Sequence, residues 1–310
     1  MSTNLHPVLS IRLFREEKCY GSGIHQLLQL VEELHSLRAA AQSMGMAYSK
    51  AWTVMKKCEE ELGFPLLVRS RTGVRPTADC LAILPYFRDL ERKLQQVEQV
   101  ASDIRGLATG TVTIGVFHSI SRYWLPDILR DFDAQYPGIT VHMLEGDQEA
   151  LDAWLADGTI DIAFSSRSPG GSDLWIQFTE DEYFAILPED HRLAKVESIA
   201  LSALKEDPFI LTNGDFDLPR LFQEAGFQPR IRWSSHDELA ILALVKAGLG
   251  VSLLPGLHLQ GDTTGAAVRP LYPRVYRQLG VSFSSLADLS PAAKRFLISA
   301  KGTMGITDGE

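Results

Sequence analysis

The spacing of apolar residues changes once along this chain, near residue 107, and no single small fold satisfies both patterns. Before that point apolar residues recur every three or four positions, the spacing of helices that bury one face. After it, short runs rich in Val and Ile alternate with helical segments, as in open α/β sheets. A chain of 310 residues is long enough for two bodies with separate cores. Charge follows the same division. The total is -9, yet residues 1–106 carry 14 Lys+Arg against 12 Asp+Glu, a balance of +2, which leaves -11 for the rest. Halves of opposite sign suit different partners, and a balance of +2 binds nucleic acid only if its charges cluster.

No apolar run reaches the roughly 20 residues that a membrane span needs. The opening residues MSTNLHPVLSIRLFREEKCY lack the basic, apolar and small-residue zones of a secretion signal. Cys19, Cys58 and Cys80 show neither metal-ligand spacing nor an obvious pairing. These features predict a cytoplasmic protein with idle thiols, no membrane partner and no metal.

Residues 24–34 place Ile24, Leu27, Leu28, Val31 and Leu34 on one helical face. A second helix is expected over 36–44, with Ser36 as N-cap and the small run Ala39-Ala40-Ala41 allowing close approach. Gly45 then stops it. A third helix, from about Tyr48 to Leu62, is expected to bury Trp52, Met55 and Leu62. Two helices about a Gly-containing turn form a helix-turn-helix. The third exposes Tyr48, Ser49, Lys50, Thr53, Lys56 and Lys57, types that meet base edges and phosphates in a major groove. Beyond it, a hairpin around Thr72-Gly73 presents Arg69, Arg71 and Arg75 as a basic wing. A helix bearing lysines is more often a solvated surface than a DNA reader. The ordered series of alanine helix, Gly turn, polar helix and Arg-rich wing is what favours DNA.

Residues 79–105 space Leu81, Leu84, Leu90, Leu94, Val97 and Ile104 along a long amphipathic helix, with Pro85 a candidate kink. Further on, strands are expected at Val112–Phe117, Thr140–Leu144, Asp161–Ser165, Tyr183–Leu187, Phe209–Leu211, Arg230–Trp233 and Val251–Leu254. Helices are expected at 121–135, 148–156, 217–225 and 236–247. Ligands of such sheets gather beyond the carboxyl ends of strands. Four loops lie there: Phe117 to Ile120, Ser165 to Ser168, Thr212 to Gly214, and Ser234 to His236. Each alone is more often a turn or cap than a ligand contact; as a set they predict one polar cleft.

Residues 21–77 resemble the winged helix-turn-helix of LysR-type and ModE-type regulators, through Leu37-Arg38-Ala39-Ala40-Ala41, Ala47-Tyr48-Ser49-Lys50-Ala51-Trp52 and Leu62-Gly63-Phe64-Pro65-Leu66. The middle stretch is nearest the ModE version, although the short wing is of the LysR kind. Ala47 stands where these families often carry a capping hydroxyl. Residues 107–300 resemble the LysR effector domain. The matching stretches are Gly110 to Gly115, Leu125-Pro126, Asp157-Gly158-Thr159-Ile160-Asp161, Leu187-Pro188-Glu189-Asp190-His191 and Ala247-Gly248-Leu249-Gly250.

The resemblance implies an α/β fold with an N-terminal winged helix-turn-helix and a two-lobed, periplasmic-binding-protein-like effector domain. The expected divisions are a DNA-binding domain at 1–78, a linker and dimerisation helix at 79–106, the effector domain at 107–303 and a tail at 304–310. Residues 107–166 and about 270–300 would form one lobe, and 167–265 most of the other. The implied protein binds double-stranded DNA as a homodimer or homotetramer under control of a small effector. Candidate effector contacts are Ser119, Ile120, Ser165, Arg167, Thr212, Asn213 and His236, and Arg167 points to an anionic effector. A ModE-like sensor of molybdate or tungstate is the alternative. No catalytic residue or cofactor is expected: Ser119, His236 and Asp237 lack a G-x-S-x-G elbow, and no P-loop, dinucleotide or zinc pattern occurs.

Overall fold

The computed structural model describes residues 23–70, 73–167 and 174–306, together with two paired two-residue strands, β1 (Arg12–Leu13) and β2 (Glu16–Glu17). Arg71, Thr72 and Ser168 lie outside the described residues. The chain forms two compact units that meet in sequence at Arg105 and Gly106.

The first unit holds α1 (Ile24–Leu34), α2 (Leu37–Ser43), α3 (Tyr48–Leu62), a hairpin of β3 (Leu67–Ser70) and β4 (Gly73–Pro76), and α4 (Ala78–Ile104). Ser36 caps α2, its Oγ accepting the Ala39 N–H at 3.2 Å. Gly45 turns the chain at φ +62°, a conformation a side chain would resist. As the missing hydroxyl at Ala47 predicts, α3 begins without a side-chain cap. Leu27, Leu28 and Val31 of α1 pack with Ala40 and Ala41 of α2 and with Ala51, Met55 and Cys58 of α3. Cys80, Leu84 and Phe87 of α4 close this core. Burial, with Glu32 and Glu59 nearby, pushes the Cys80 thiol up to about 12, so it stays protonated and inert.

One expectation is corrected here. Trp52 is 44% exposed rather than buried. The inward stripe of α3 is Ala51, Met55 and Cys58, spaced four and three apart, and Trp52 lies about 100° around the helix from Ala51.

Thr77 caps α4, which continues through Pro85 for 27 residues. Its first ten residues supply its buried contacts to the core of this unit. Val97, Val100 and Ile104 farther along are exposed, and their spacing puts them on one side.

The second unit begins with β5 (Gly110–Val116), α5 (His118–Tyr123), α6 (Leu125–Gln135), β6 (Ile139–Glu145), α7 (Gln148–Ala156) and β7 (Ile162–Ser166). It continues with β8 (Trp175–Pro188), β9 (Pro208–Thr212), α8 (Asp217–Glu224), β10 (Arg230–Ser235), α9 (Glu238–Lys246) and β11 (Ser252–Pro255). β12 (Ala266–Pro270), β13 (Tyr276–Ser282) and α10 (Pro291–Thr303) complete it.

The first lobe orders its strands β6-β5-β7-β13-β8. β5 is parallel to β6 and β7, while β13 runs antiparallel to β7 and β8. β8 then continues into the second lobe, where its Tyr183–Pro188 half pairs antiparallel with β11 and β12. There β9 pairs parallel with β10, and Phe209 bridges Val251. The aromatic core of the first lobe centres on Phe132, Phe164 and Phe296, with Phe296 edge-on to both others.

The second lobe therefore starts near Tyr183 and not at residue 167, because Trp175–Glu182 of β8 belongs to the first lobe's sheet. The expected helix 121–135 is two helices broken at Trp124; Pro126 has no N–H to give the preceding turn. Met304 and Ile306 of the expected tail pack on the first lobe's core. Among the described residues, no helix is long and apolar enough to cross a membrane, and no group of three or more His, Cys, Asp or Glu side chains is placed to hold a metal ion.

Candidate effector cavity and nucleic-acid face

Between the lobes of the second unit lies a cavity of about 140 Å³. It opens at the carboxyl ends of β5, β7, β9 and β10, where the topology of open sheets puts ligands. Four of the expected contacts meet there: Ser119, Thr212, Asn213 and His236. Ser119 Oγ comes from the first lobe and Thr212 Oγ1 from the second. Both atoms are buried, and neither has a hydrogen-bond partner among the described residues. Leaving such a hydroxyl unpaired costs about 1–3 kcal/mol, and both residues belong to the cavity wall.

The other three lie elsewhere. Ile120 is part of the first lobe's core. Ser165 is buried and gives its hydroxyl to the Ser166 carbonyl at 3.2 Å, while Ser166 lines the cavity in its place. Arg167 is exposed and does not line the cavity; its backbone N–H donates to Gln278 at 3.0 Å.

The guanidinium in the cavity wall is that of Arg277, on β13. Its Nε and Nη2 donate to Asp181 Oδ2 at 3.0 and 2.8 Å, and Asp181 Oδ1 accepts the Leu257 N–H at 2.9 Å. Arg277 Nη2 also lies 3.4 Å from His258 Nε2. A guanidinium only donates, so Nε2 accepts and the imidazole proton sits on Nδ1, 3.5 Å from Glu238 Oε1. Burial and the nearby Arg277 hold His258 well below its ordinary range, which keeps the ring neutral.

Two carboxyls of the wall are raised, each chiefly by burial. Asp215 accepts the Tyr183 hydroxyl at 2.9 and 3.0 Å and the Asp217 N–H at 3.0 Å. Glu238 opens α9. Gly214 and Asp147 approach across the cavity mouth. Gly214 sits at φ +81°, and a Cβ there would come 3.0 Å from that of Asp147.

None of Arg277, Asp181 or His258 was expected from the sequence. A signal was present: Arg277, Leu279 and Val281 alternate on the inward face of one strand. An arginine on such a face has to be paired.

On the first unit, the expected DNA-contacting residues of α3 are exposed together: Tyr48, Ser49, Lys50, Thr53, Lys56 and Lys57. Thr53 gives its hydroxyl to the Ser49 carbonyl at 2.9 Å. Lys56 pairs with Glu59 at 2.7 Å, and Lys57 lies 3.8 Å from Glu61. Arg69 and Arg75 are exposed on the hairpin. The register, with Val68 opposite Arg75 and Arg69 opposite Val74, sends them to opposite faces. Arg71 lies outside the described residues.

Comparison with known proteins agrees with both units. Residues 25–81 match the bacterial regulatory helix-turn-helix protein of the lysR family, and residues 105–304 match the LysR substrate binding domain. The chain belongs to the LysR family: it is a DNA-binding transcription regulator with an effector-binding domain, and not an enzyme. LysR regulators bind DNA and small-molecule effectors and form oligomers. It is 29% identical over 280 residues to the uncharacterized HTH-type transcriptional regulator YvbU of Bacillus subtilis, a match covering 89% of this chain and 96% of that one. Full-length OxyR of Pseudomonas aeruginosa shares the fold at a TM-score of 0.69, with 20% identity over 93% of this chain and 95% of that one. The effector binding domain of QuiR in complex with shikimate shares it at 0.56, with 23% identity over 62% of this chain and 95% of that domain.

Proposed function

We propose that this regulator reads its operator with α3 and the wing, and that its effector is a small acid carrying hydroxyl or amino groups, held in the cavity between the lobes. The carrying observation is the pair of buried, unpartnered hydroxyls, Ser119 Oγ and Thr212 Oγ1, contributed by opposite lobes. A ligand touching both favours the closed arrangement, and it changes operator binding only by its differential affinity for the two arrangements. Arg277 supports an anionic group on the ligand, in the part first given to Arg167. The carboxyls of Asp147, Asp215 and Glu238 support donor groups elsewhere on it. The shikimate held by the QuiR domain is a molecule of that type. The second unit matches the LysR domain throughout, which leaves the molybdate sensor without support.

The DNA contacts in this reading are Tyr48, Ser49, Lys50, Thr53, Lys56, Lys57, Arg69, Arg71 and Arg75. Pairing of α4 between subunits through Val97, Val100 and Ile104 would set two α3 helices about one DNA turn apart. The setting is the cytoplasm, where the operator is.

The test separates the two sites. A thermal-shift screen against hydroxy and amino acids and their esters identifies ligands, since a ligand at about 100 times its Kd adds roughly 2.7 kcal/mol. Thr212→Val is expected to abolish the shift while unliganded operator binding stays intact. Lys50→Ala is expected to weaken operator binding and keep the shift. Equal loss of both activities in either variant contradicts the assignment.

A further inference from the structure

We propose that Trp52, with Tyr48 beside it, reads the 5-methyl groups of thymines in the operator's major groove. This rests on the reading that α3 enters that groove. The two rings are one turn apart on the exposed face of α3, with centroids 6.4 Å apart. Trp52 is 44% exposed and Tyr48 40%. Neither serves the core, whose stripe on this helix is Ala51, Met55 and Cys58.

Cations flank the pair: the Arg38 guanidinium lies 4.8 Å from the Tyr48 ring centre, and Lys56 Nζ lies 5.3 Å from that of Trp52. An apolar patch rimmed by positive charge complements a groove whose rims are phosphates. This charge selects duplex DNA over a protein as the occupant.

Two polar side chains beside the indole already have partners within α3. Thr53 spends its hydroxyl on the Ser49 carbonyl, and Lys56 is held by Glu59. The indole is left as the largest group on the face. In the major groove, the apolar feature that distinguishes one base pair from another is the thymine methyl.

The experiment uses the full-length protein. A preferred duplex is first selected from a random library, and its thymines are then replaced one at a time by deoxyuridine, which removes only the methyl. Each loss is expected to show at one or two positions per half-site, weakening the wild-type protein by about 3- to 10-fold, the scale of a single groove contact. Trp52→Ser is expected to be insensitive at those positions, to within about 1.5-fold, while its affinity falls with rising salt as steeply as the wild type's. Lys50→Ala is expected to keep the methyl sensitivity.

A flat deoxyuridine profile for the wild type overturns the proposal. So does a Trp52→Ser profile identical to it. Tyr48→Ala provides the second variant: it is expected to reduce the same sensitivity, and an unchanged profile removes Tyr48 from the pair. Failure to select any sequence at low salt is a different result, and it strikes the operator-binding reading itself.

Discussion

A single imidazole shows how the cavity wall is balanced. His258 is neutral because burial and Arg277 disfavour its charge, so its folded pKa lies below the unfolded value of 6.5. Where the unfolded chain binds more protons than the native one, stability rises with pH. The contribution of His258 is therefore full above about 6.5 and is lost as pH falls below it, by up to about 1.4 kcal/mol per pH unit. Asp215 and Glu238 act in the opposite sense. Their raised folded values make them lose stability as pH climbs above 3.8 and 4.5. The two effects are separated by comparing wild type with His258→Gln. Their difference in Tm is expected to shrink as pH drops from 7 to 5.5, and a constant difference across that range removes His258 as the titrating group. The residues behind this behaviour were only partly legible in the sequence. Ser119, Thr212, Asn213 and His236 follow strands in the chain and could be found by position. Arg277, Asp181 and His258 are brought together from β13, β8 and the turn after β11, and their proximity exists only once the strands have paired.

At the scale of elements, the wing depends on one carboxylate of the helix before it. Glu59 of α3 accepts the N–H groups of Leu66 and Leu67 at 2.8 and 3.2 Å through one oxygen, and Lys56 through the other. Burial pushes this carboxyl up, but the hydrogen bonds from Lys56, Leu66 and Leu67 outweigh it and leave the group below its usual range. Glu59→Ala removes charge-assisted bonds to two backbone donors at the start of β3, and the first unit is expected to lose about 1.5–3 kcal/mol in urea unfolding. Glu59→Gln can keep one acceptor and is expected to lose less; equal stability of all three proteins contradicts this role. A helix with a clean stripe, such as α1, was legible from spacing alone. The first half of β8 was not, because Thr179-Glu180-Asp181-Glu182 reads as a loop. In the folded sheet Glu180 faces out, while Asp181 turns in to meet Arg277. Trp52 was misplaced for a related reason: a large aromatic residue invites an interior assignment, and only its angle from Ala51, Met55 and Cys58 says otherwise.

At the scale of the molecule, the proposed pairing of subunits uses the exposed side of α4. Val97, Val100 and Ile104, the last 82% exposed, form a stripe with the spacing of a helix pair. Val97→Glu with Val100→Glu is expected to raise the protein concentration needed for assembly by at least about tenfold, the effect of roughly 1.4 kcal/mol. Sedimentation measures this directly, and an unchanged mass at every concentration refutes the pairing. Affinity for a two-half-site operator is expected to fall with assembly, because the second half-site is then bound from solution rather than from the same complex.

The course of β8 through both lobes has a practical consequence. The peptide leaves the first lobe at Glu182 and returns at Tyr276, and these two residues face each other in register. The second lobe is thus an insert whose two ends are stitched side by side into its host. One proteolytic nick in either crossing leaves the other intact, so the fragments should still travel together until both connections are cut.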